Sequence, residues 1–520
     1  MLHSPYAKAT VKQGLLHFLL GRGLAGVAGF VTVILMARFM DIQQYAGFTA
    51  LTGVIAFGGI LASLGLERAI SRYVPELRLS AQPQALGRFI LQLSFIRLCA
   101  SLVVVAGLYL FWQPLLSVFN DVQLPNFPLA LACFVLAEAL FQHFSCILQA
   151  LLQQKSLTGI LVIQWAGRLL MLYWAILADH GLSLEEALWM MALPEMLGVL
   201  AFVVMLYNYL AALNKDLNAQ HMAQNSLAPH LPTPAPSWRA IMAMSLNNYG
   251  FTLLAAPPQG YFMKMIAAIF LPTETVAAYG FFISIAEKAR QYIPLHFFYN
   301  LIEPVLVAQY LKHQDFTKLT RYCQWLYKSN LLLLIPAIAW IAVAGTQVIG
   351  VMTAGKFQQE LWILLLVMVQ LTIGSHIVLL QLLLNSVGKS HVLIQAGAVA
   401  LAGMLFYWAT VPLIAKPLLL CGPLVFSLIC NIAIIRKLNN SGLAYGVPWP
   451  MVANVAVAGV LAYLLAFVVS QEIITTITNA TVSAAVSLGV IAMAYLLALA
   501  LFKVIRAEEL DFFKSMMKKN

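Results

Sequence analysis

The chain has 520 residues, of which 62% are hydrophobic and only 9% are charged, and its mean hydropathy is +0.86. A soluble protein carries charge on about a quarter of its residues, so this composition excludes an ordinary soluble protein. The formal net charge of +11 is explained by the one-sided placement of cations described below, and it predicts no nucleic-acid partner.

Apolar segments of about 20 residues, the length at which a helix crosses the hydrocarbon layer, recur along the whole chain. None shows the short alternating pattern of a barrel strand. We therefore predict an all-α polytopic membrane protein with about 14 transmembrane helices. The predicted spans are 14–37, 43–66, 87–111, 127–150, 157–178, 187–210, 240–268, 275–298, 325–349, 361–384, 391–414, 417–436, 449–470 and 480–503.

Two pairs of similar segments indicate an internal repeat. Leu148–Gly159 returns in altered form as Leu380–Ser390, and Tyr45–Phe48 returns as Tyr279–Phe282, at offsets of 232 to 234 residues. A repeat over about half of a hydrophobic chain is typical of two-lobed transporters. Each repeat contains six predicted helices, an even number, so we expect two parallel lobes related by a pseudo-two-fold axis along the membrane normal.

The repeat predicts the domain organisation. The linker holds four prolines between residues 229 and 236, which is typical of an extended strap. The last two spans have no counterpart in the first repeat. The predicted parts are an N-terminal six-helix lobe (12–210), a cytoplasmic linker (211–239), a C-terminal six-helix lobe (240–437), two additional transmembrane helices (449–503) and a cytoplasmic tail (504–520).

Lysine and arginine are concentrated in alternate loops. When the N-terminus is placed in the cytoplasm, the loops on that side hold 21 cations and the loops on the opposite side hold 4. This asymmetry follows the positive-inside rule, so both termini are predicted to be cytoplasmic. The first span contains Arg22 and has no small-residue cleavage site, so we predict a retained helix and not a signal peptide.

Motifs for chemistry are missing from the sequence. It contains no nucleotide-binding glycine loop, no His-Glu-x-x-His and no Gly-x-Ser-x-Gly. Its six cysteines show no Cys-x-x-Cys spacing, which favours reduced packing residues. We therefore predict that the protein is not an enzyme and has no catalytic residues, no metal site and no cofactor.

Five cations lie more than four residues from either end of a predicted span, at depths where an arginine facing lipid costs at least about 2.5–3.5 kcal/mol. Such residues should face a wet cavity or a partner. In-span cations outnumber the in-span acids Glu138, Glu195 and Glu287, which predicts a net positive lumen suited to an anionic substrate. The predicted substrate-binding residues are Arg22, Arg97, Arg168, Lys288 and Arg290.

Several of these residues have a structural alternative. Arg22 could extend its side chain to the membrane surface. Glu287 and Arg290 are three residues apart on one helix and could neutralise each other. Arg97 and Arg168 could form structural ion pairs with Glu138 or Glu195.

Polar residues recur at the same helical spacing on the fourth and tenth spans. The fourth span carries Glu138, Gln142, Ser145, Gln149 and Gln153, and the tenth carries Gln370, Gly374, Ile377, Gln381 and Asn385. Such a stripe lines a cavity or forms hydrogen bonds between helices. The predicted cavity-lining residues are Gln142, Gln149, Asn247, Asn248, Gln370 and Gln381. Glu138, the only acid in either stripe, is predicted to carry a coupling H⁺ or Na⁺, and Glu287 is a second candidate.

Two short stretches resemble a known family. Leu64–Glu76 (LGLERAISRYVPE) and Gln149–Ser156 (QALLQQKS) look like the corresponding segments of bacterial polysaccharide and O-antigen flippases. Two parallel six-helix repeats resemble the multidrug/oligosaccharidyl-lipid/polysaccharide exporter superfamily, to which those flippases belong. The resemblance covers about residues 12–437. The chain has fourteen predicted spans, whereas the shortest members have twelve. In this respect it also resembles the related lipid II flippases and wider polysaccharide exporters.

This resemblance implies a function. A flippase of that branch moves an undecaprenyl-pyrophosphate-linked oligosaccharide from the cytoplasmic to the periplasmic leaflet of the bacterial inner membrane. We expect cation-coupled alternating access by an antiporter in O-antigen or lipopolysaccharide synthesis. The expected partners are this substrate, membrane lipids, and neighbouring polysaccharide polymerase or ligase machinery. The alternatives are a cation-coupled multidrug exporter, a lipid II flippase and, least favoured, a membrane glycosyl polymerase or ligase, which would need a large periplasmic loop.

Overall fold

The computed structural model describes residues 8–79, 83–119, 128–178, 181–223, 237–297, 314–389, 391–411, 415–476 and 479–505, together with Val122, Leu124, Asn126, Leu306 and Tyr310. Of residues 8–20, 22, 79, 83, 214–223, 247, 251 and 470–476 only the backbone is described. Throughout the described ranges the regular secondary structure is helical, as the composition predicts.

The helices follow one another along the chain with short connections. They are α1 Lys8–Phe39, α2 Ile42–Ser63, α3 Leu66–Leu79, α4 Pro83–Leu110, α5 Trp112–Val118, α6 Leu129–Ala150, α7 Gln154–Leu177, α8 Leu184–Ala223, α9 Trp238–Leu254, α10 Gly260–Phe270, α11 Thr273–Arg290, α12 Phe316–Thr353, α13 Leu361–Ser386, α14 His391–Thr410, a 3₁₀ helix Lys416–Cys421, α15 Gly422–Asn440, α16 Trp449–Thr476 and α17 Ala480–Leu501.

Membrane-spanning length and composition are found in most of these helices. Within the described residues, 11 helices are long and apolar enough to cross a membrane: α2, α4, α6, α7, α8, α12, α13, α14, α15 with its preceding 3₁₀ turn, α16 and α17. Gly23–Phe39 of α1 and Gly260–Phe270 are shorter apolar helices. Most predicted spans coincide with one helix, but 240–268 is divided between α9 and α10, and α2 and α11 end before the predicted spans 43–66 and 275–298 do. The chain is a polytopic helical membrane protein.

Large apolar side chains cover the outer faces of these helices. On α17, Leu496, Leu497 and Leu501 are 63–80% exposed, and on α7 Ile163 and Trp174 are 72% and 74% exposed. In water such faces would be unfavourable, whereas lipid tails solvate them at no cost. The helical backbone satisfies its own hydrogen bonds, which is the condition for lying in hydrocarbon.

The second predicted span ends earlier than the hydropathy pattern indicates. Leu64 and Gly65, with φ of 47° and 70°, turn the chain after Ser63, and the amphipathic helix α3 begins at once. A Cβ on Gly65 would lie 2.1 Å from the Ser245 carbonyl oxygen of α9. Only glycine permits both this backbone conformation and this close approach. We call Leu64, Gly65 and the start of α3 the α2–α3 corner.

The seventh predicted span (240–268) is two helices. α9 ends at Leu254 and α10 begins at Gly260, with Pro257 and Pro258 between them. Proline lacks a backbone N–H and its ring obstructs the preceding turn, so two adjacent prolines end the helix. The first of the two helices, α9, packs against α2 and α3.

The chain forms two compact units. The first comprises Met1–Ala256 and Lys264–Ile269, and the second comprises Pro257–Met263 and Phe270–Asn520. In the first unit α6 packs against α8, α4 and α2, and α1 packs against α7. In the second unit α12 packs against α13, α16 and α17, and α14 packs against α15. The lobe boundaries and the symmetry axis stay predictions.

Candidate functional site

Charged side chains from five helices form a partly buried network in the first unit. Glu67 comes from α3, Arg97 from α4, Glu138 from α6, Arg168 from α7 and Glu195 from α8. We call these five residues the charged network. Ionisable groups inside a membrane bundle are rare and mark functional sites by default.

Arg97 is the most deeply buried cation of the described residues, with a side chain that is 0% exposed. Its Nε donates a hydrogen bond of 3.0 Å to the carbonyl oxygen of Ala139 on α6. Its Nη1 lies 3.5 Å from Oε1 of Glu67, a distance typical of a long ion pair. Neither Nη1 nor Nη2 has a hydrogen-bond partner among the described residues. The guanidinium charge is therefore only partly neutralised, which is costly in a buried position.

Glu67 reaches Arg97 because of the α2–α3 corner. The left-handed turn at Leu64 and Gly65 ends α2 and places Glu67 in the first turn of α3. A carboxylate is favourable there because the helix N-terminus carries partial positive charge. Glu67 lies in the stretch that resembles polysaccharide flippases, but hydropathy placed it just outside the second span, and it was missed as a site residue.

Arg168 has a more complete set of partners than Arg97. Its Nη2 lies 3.1 Å from Oε2 of Glu195 and donates to the Met191 carbonyl oxygen at 3.2 Å. The guanidinium also stacks on the Trp165 ring, 4.5 Å from its centroid. Arg168 and Glu195 are only 4% and 3% exposed. Trp165 and Arg168 are three residues apart on α7, and Met191 and Glu195 are four apart on α8, so each pair shares one helix face.

Glu138 interacts with Arg97 and with Glu195, the partner of Arg168. Its carboxyl accepts a hydrogen bond from the Gln142 amide one turn later on α6. It also lies close enough to Glu195 and Arg97 to interact electrostatically with both. Two neighbouring carboxylates repel each other when both are ionised. The pair Glu138–Glu195 is thus a candidate cation-binding group beside two buried arginines.

The charged network has a different balance from the predicted lumen. It contains three carboxyl groups and two guanidinium groups, so the expected excess of cations is not found within it. Arg168 is paired with Glu195, which is the alternative that the sequence left open. Arg97 has Glu67 as its near partner, and Glu138 acts on it only electrostatically.

The remaining predicted cations belong to other surroundings. Lys288 and Glu287 are half-buried and Arg290 is exposed, all in the last turn of α11 in the second unit. A Cβ on Gly260 would lie 2.4 Å from Oε1 of Glu287, so this carboxylate is held close against the α10 backbone. The side chain of Arg22 lies outside the described residues.

The predicted cavity-lining residues differ in their exposure. Gln142 and Gln149 are exposed on α6, whereas Gln370, Gln381 and Asn248 are half-buried. The side chain of Asn247 lies outside the described residues. Among the described side chains of this set, Gln142 donates a hydrogen bond to Glu138 of the charged network.

In the second unit His376 connects α13 to α15 and to the segment that follows α15. His376 of α13 is within 2.8 Å of both Asn431 Oδ1 on α15 and the Tyr445 hydroxyl in the following connection. The Tyr327 ring of α12 contacts the same imidazole edge-on at 5.0 Å. With both ring nitrogens engaged, His376 acts as a packing residue.

Solved structures share this fold. The chain is similar to the lipid II flippase MurJ in its inward closed conformation, with a TM-score of 0.65 and 10% identity over 93% of this chain and 98% of that one. It is also similar to an inward-facing multidrug resistance MATE family transporter of the MOP superfamily, with a TM-score of 0.54 and 12% identity over 81% of this chain and 95% of that one. No protein-family model matches the chain, and no curated protein matches its sequence. At these identities the similarity shows the fold alone.

Proposed function

We propose that the protein is a flippase of the bacterial inner membrane that moves an undecaprenyl-pyrophosphate-linked oligosaccharide to the periplasmic leaflet for cell-surface polysaccharide synthesis. The observation that carries this proposal is Arg97, a fully buried arginine whose Nη1 and Nη2 lack hydrogen-bond partners among the described residues. A guanidinium in this state gains most from a bidentate anion such as a pyrophosphate. The fold shared with the lipid II flippase supports the same substrate class.

Translocation of a whole lipid-linked molecule requires binding and release without bond chemistry. In that process an arginine that is weakly paired in the resting state contributes more to binding than one that is fully paired, because no partner has to be displaced before it binds the anion. Arg97 meets this condition better than Arg168, which has a carboxylate, a carbonyl and an indole ring around it. We therefore assign Arg97 the principal substrate contact in the first unit.

The carboxyl pair Glu138–Glu195 is our proposed coupling site. A proton or Na⁺ neutralises the repulsion between two adjacent carboxylates, and the pair lies in contact with Arg168. Its charge state therefore alters the field at the arginines. Glu195 joins Glu138 as a coupling residue that the sequence considered only as a structural partner, and Glu287 remains a second candidate in the other unit.

A lipid II flippase is the second candidate function. The fold match to the lipid II flippase extends over 93% of this chain, and both substrate types carry the same diphosphate on the same class of lipid. A multidrug exporter would bind cationic drugs at free carboxylates. It is less favoured because each carboxyl of the charged network has a basic or amide partner.

The test measures surface polysaccharide per folded protein in cells that lack their own copy of the gene. We expect Arg97→Ala to lose export and Arg97→Lys to restore it only in part, because a point charge cannot reproduce the bidentate fork. The exposed Arg436→Gln variant is the matched control and should export normally. Accumulation of lipid II with lysis would select the second function. Full export by a variant with alanine at Arg97, Arg168 and Lys288 would overturn the proposal.

A further inference from the structure

A cavity of about 580 Å³ opens in the second unit. Three separated segments meet around it: the beginning of α12, the beginning of α16 and the end of α17. Its polar lining consists of Arg321, Gln324, Lys328, Asn454 and Lys503, with Trp325 among the apolar residues. The lining contains three cations and no carboxylate among the described residues. A volume of this size accommodates a small ligand or a lipid headgroup.

The cations lie at graded depth. Arg321 and Lys328 are seven residues apart on α12, about two turns, and so project from one helix face. Arg321 is exposed, whereas Lys328 is only 5% exposed and donates a hydrogen bond to the carbonyl oxygen of Val504. An anion entering the cavity would therefore meet charge both at its mouth and at its base.

Lys503 is held in an unfavourable backbone conformation. Its φ is 46°, in the left-handed region, and the amide of Val504 closes the helix end by donating to the Leu499 carbonyl oxygen at 3.0 Å. Glycine is the usual residue at this capping position, and a lysine there costs roughly 1–2 kcal/mol. Retained strain in a lining residue indicates that its side chain serves a function.

The first turn of α16 adds to the positive potential. Pro448, Pro450 and Met451 line the cavity, so the N-terminus of a 28-residue helix borders it. Its N–H groups are already bonded within the turn, Trp449 to the Val447 carbonyl oxygen and Met451 and Val452 to that of Pro448, so the helix dipole alone favours an anion there. This contribution stands beside the three cations and is not needed to define the site.

We propose that this cavity binds the phosphate group of a membrane lipid at the membrane surface. The cations belong to the side predicted to be cytoplasmic, where anionic headgroups attract lysine and arginine by about 1 kcal/mol each. The half-buried Trp325 suits the same depth, since tryptophan concentrates at the interface. The phosphate could come from a resident anionic phospholipid or from a polyprenyl carrier. The proposal is independent of the transported substrate.

The experiment titrates detergent-purified protein with defined lipids and follows thermal unfolding, which rises with ligand binding. The probes are phosphatidylglycerol, phosphatidylcholine with the same acyl chains, undecaprenyl phosphate and inorganic pyrophosphate. For the wild-type chain we expect tighter binding of an anionic lipid than of phosphatidylcholine. The double variant Arg321→Gln, Lys503→Gly should bind it about thirtyfold more weakly, about fivefold for each cation lost.

The control removes the same charge from the same predicted side. Lys318 and Arg436 are exposed and do not line the cavity, so the double variant Lys318→Gln, Arg436→Gln should keep wild-type affinity. Lys503→Gly alone should retain or raise the unfolding temperature, because glycine suits the left-handed position. A loss of lipid binding in this variant then cannot result from a loss of folding. Preference for phosphatidylglycerol identifies a phospholipid, and preference for undecaprenyl phosphate identifies the carrier. Equal loss in both double variants, or equal binding of pyrophosphate and lipid, would overturn the proposal.

Discussion

Arg97 and Arg168 illustrate how differently two buried arginines are stabilised. Arg168 lies between a carboxylate, a carbonyl oxygen and an indole ring, all within 4.5 Å. Arg97 has one backbone hydrogen bond and one ion pair of 3.5 Å. The two therefore respond differently to substitution. Loss of Arg168 leaves Glu195 buried without its cation, whereas loss of Arg97 mainly removes a group that can bind an anion.

The pair Arg168–Glu195 gives the first prediction at this scale. Arg168→Gln should lower stability by about 3–5 kcal/mol, because Glu195 is then left buried without its cation. The double variant Arg168→Gln, Glu195→Gln should recover most of that loss. The measurement is thermal unfolding of the purified proteins. Arg290→Gln, at an exposed position, serves as the control and should change stability by less than about 0.5 kcal/mol. If Arg168→Gln unfolds at the wild-type temperature, the pair contributes nothing to stability.

Sequence reasoning reached the arginines more easily than their partners. Arg97 and Arg168 stand out because charge in an apolar span is rare, and both are buried. Glu67 was missed because it lies past the end of α2, in a charged stretch that hydropathy treats as a loop. Which acid pairs with which arginine depends on helix rotation, and a single chain carries no information on that.

The α2–α3 corner is the element on which the charged network depends. It ends a membrane helix, places Glu67 beside Arg97 and receives α9 in close contact. The Tyr249 hydroxyl of α9 donates a hydrogen bond of 3.1 Å to the Leu61 carbonyl oxygen, which fixes the approach. Gly65 makes this arrangement possible, because it has no side chain.

Gly65→Ala should therefore be strongly destabilising. The new Cβ would meet the Ser245 carbonyl oxygen at 2.1 Å and would force alanine into a left-handed conformation, at a combined cost of at least about 1–3 kcal/mol. Gly59→Ala is the control, because nothing lies within 4 Å of its added Cβ. Unfolding temperatures of both variants decide the matter. Equal stability of the two would mean that α9 does not pack tightly on this corner.

Helix positions were predictable to within a few residues, and helix breaks were less so. The apolar runs of α6, α13 and α17 coincide closely with their predicted spans because composition alone sets them. The helix α3 was not predicted, since its amphipathic pattern is too polar for a span. Pro257 and Pro258 divide the predicted seventh span, a break that hydropathy does not show, because neighbouring helices allow proline inside many membrane helices.

At the scale of the whole molecule, orientation follows from charge. The prediction of cytoplasmic termini depends on the 21 cations counted on one side against 4 on the other. Because one misplaced helix would reverse all later loops, the count also bears on the number of spans. The fold shared with known transporters does not by itself assign the sides.

Accessibility labelling tests the orientation in a variant without the six native cysteines. A single cysteine at Asp179 or Glu472 should react with an impermeant maleimide added to intact cells, since both lie in predicted periplasmic loops. Cysteines at Gln82 or Asn439 should react only after the cells are opened, which controls for reactivity. Labelling of the 211–239 linker from outside would contradict the predicted topology.

The packing of α9 has a consequence for biosynthesis. By its place in the repeat α9 opens the second half of the chain, yet it packs on α2 and α3 in the first unit. The surface of the α2–α3 corner that α9 covers is therefore open when the six preceding spans have left the ribosome. It stays open until translation has passed the linker and reached Leu254. At ~5–20 residues per second this delay is roughly 2–9 seconds. During that interval the nascent first unit carries an open site for any other small-residue helix, or for a chaperone of membrane insertion.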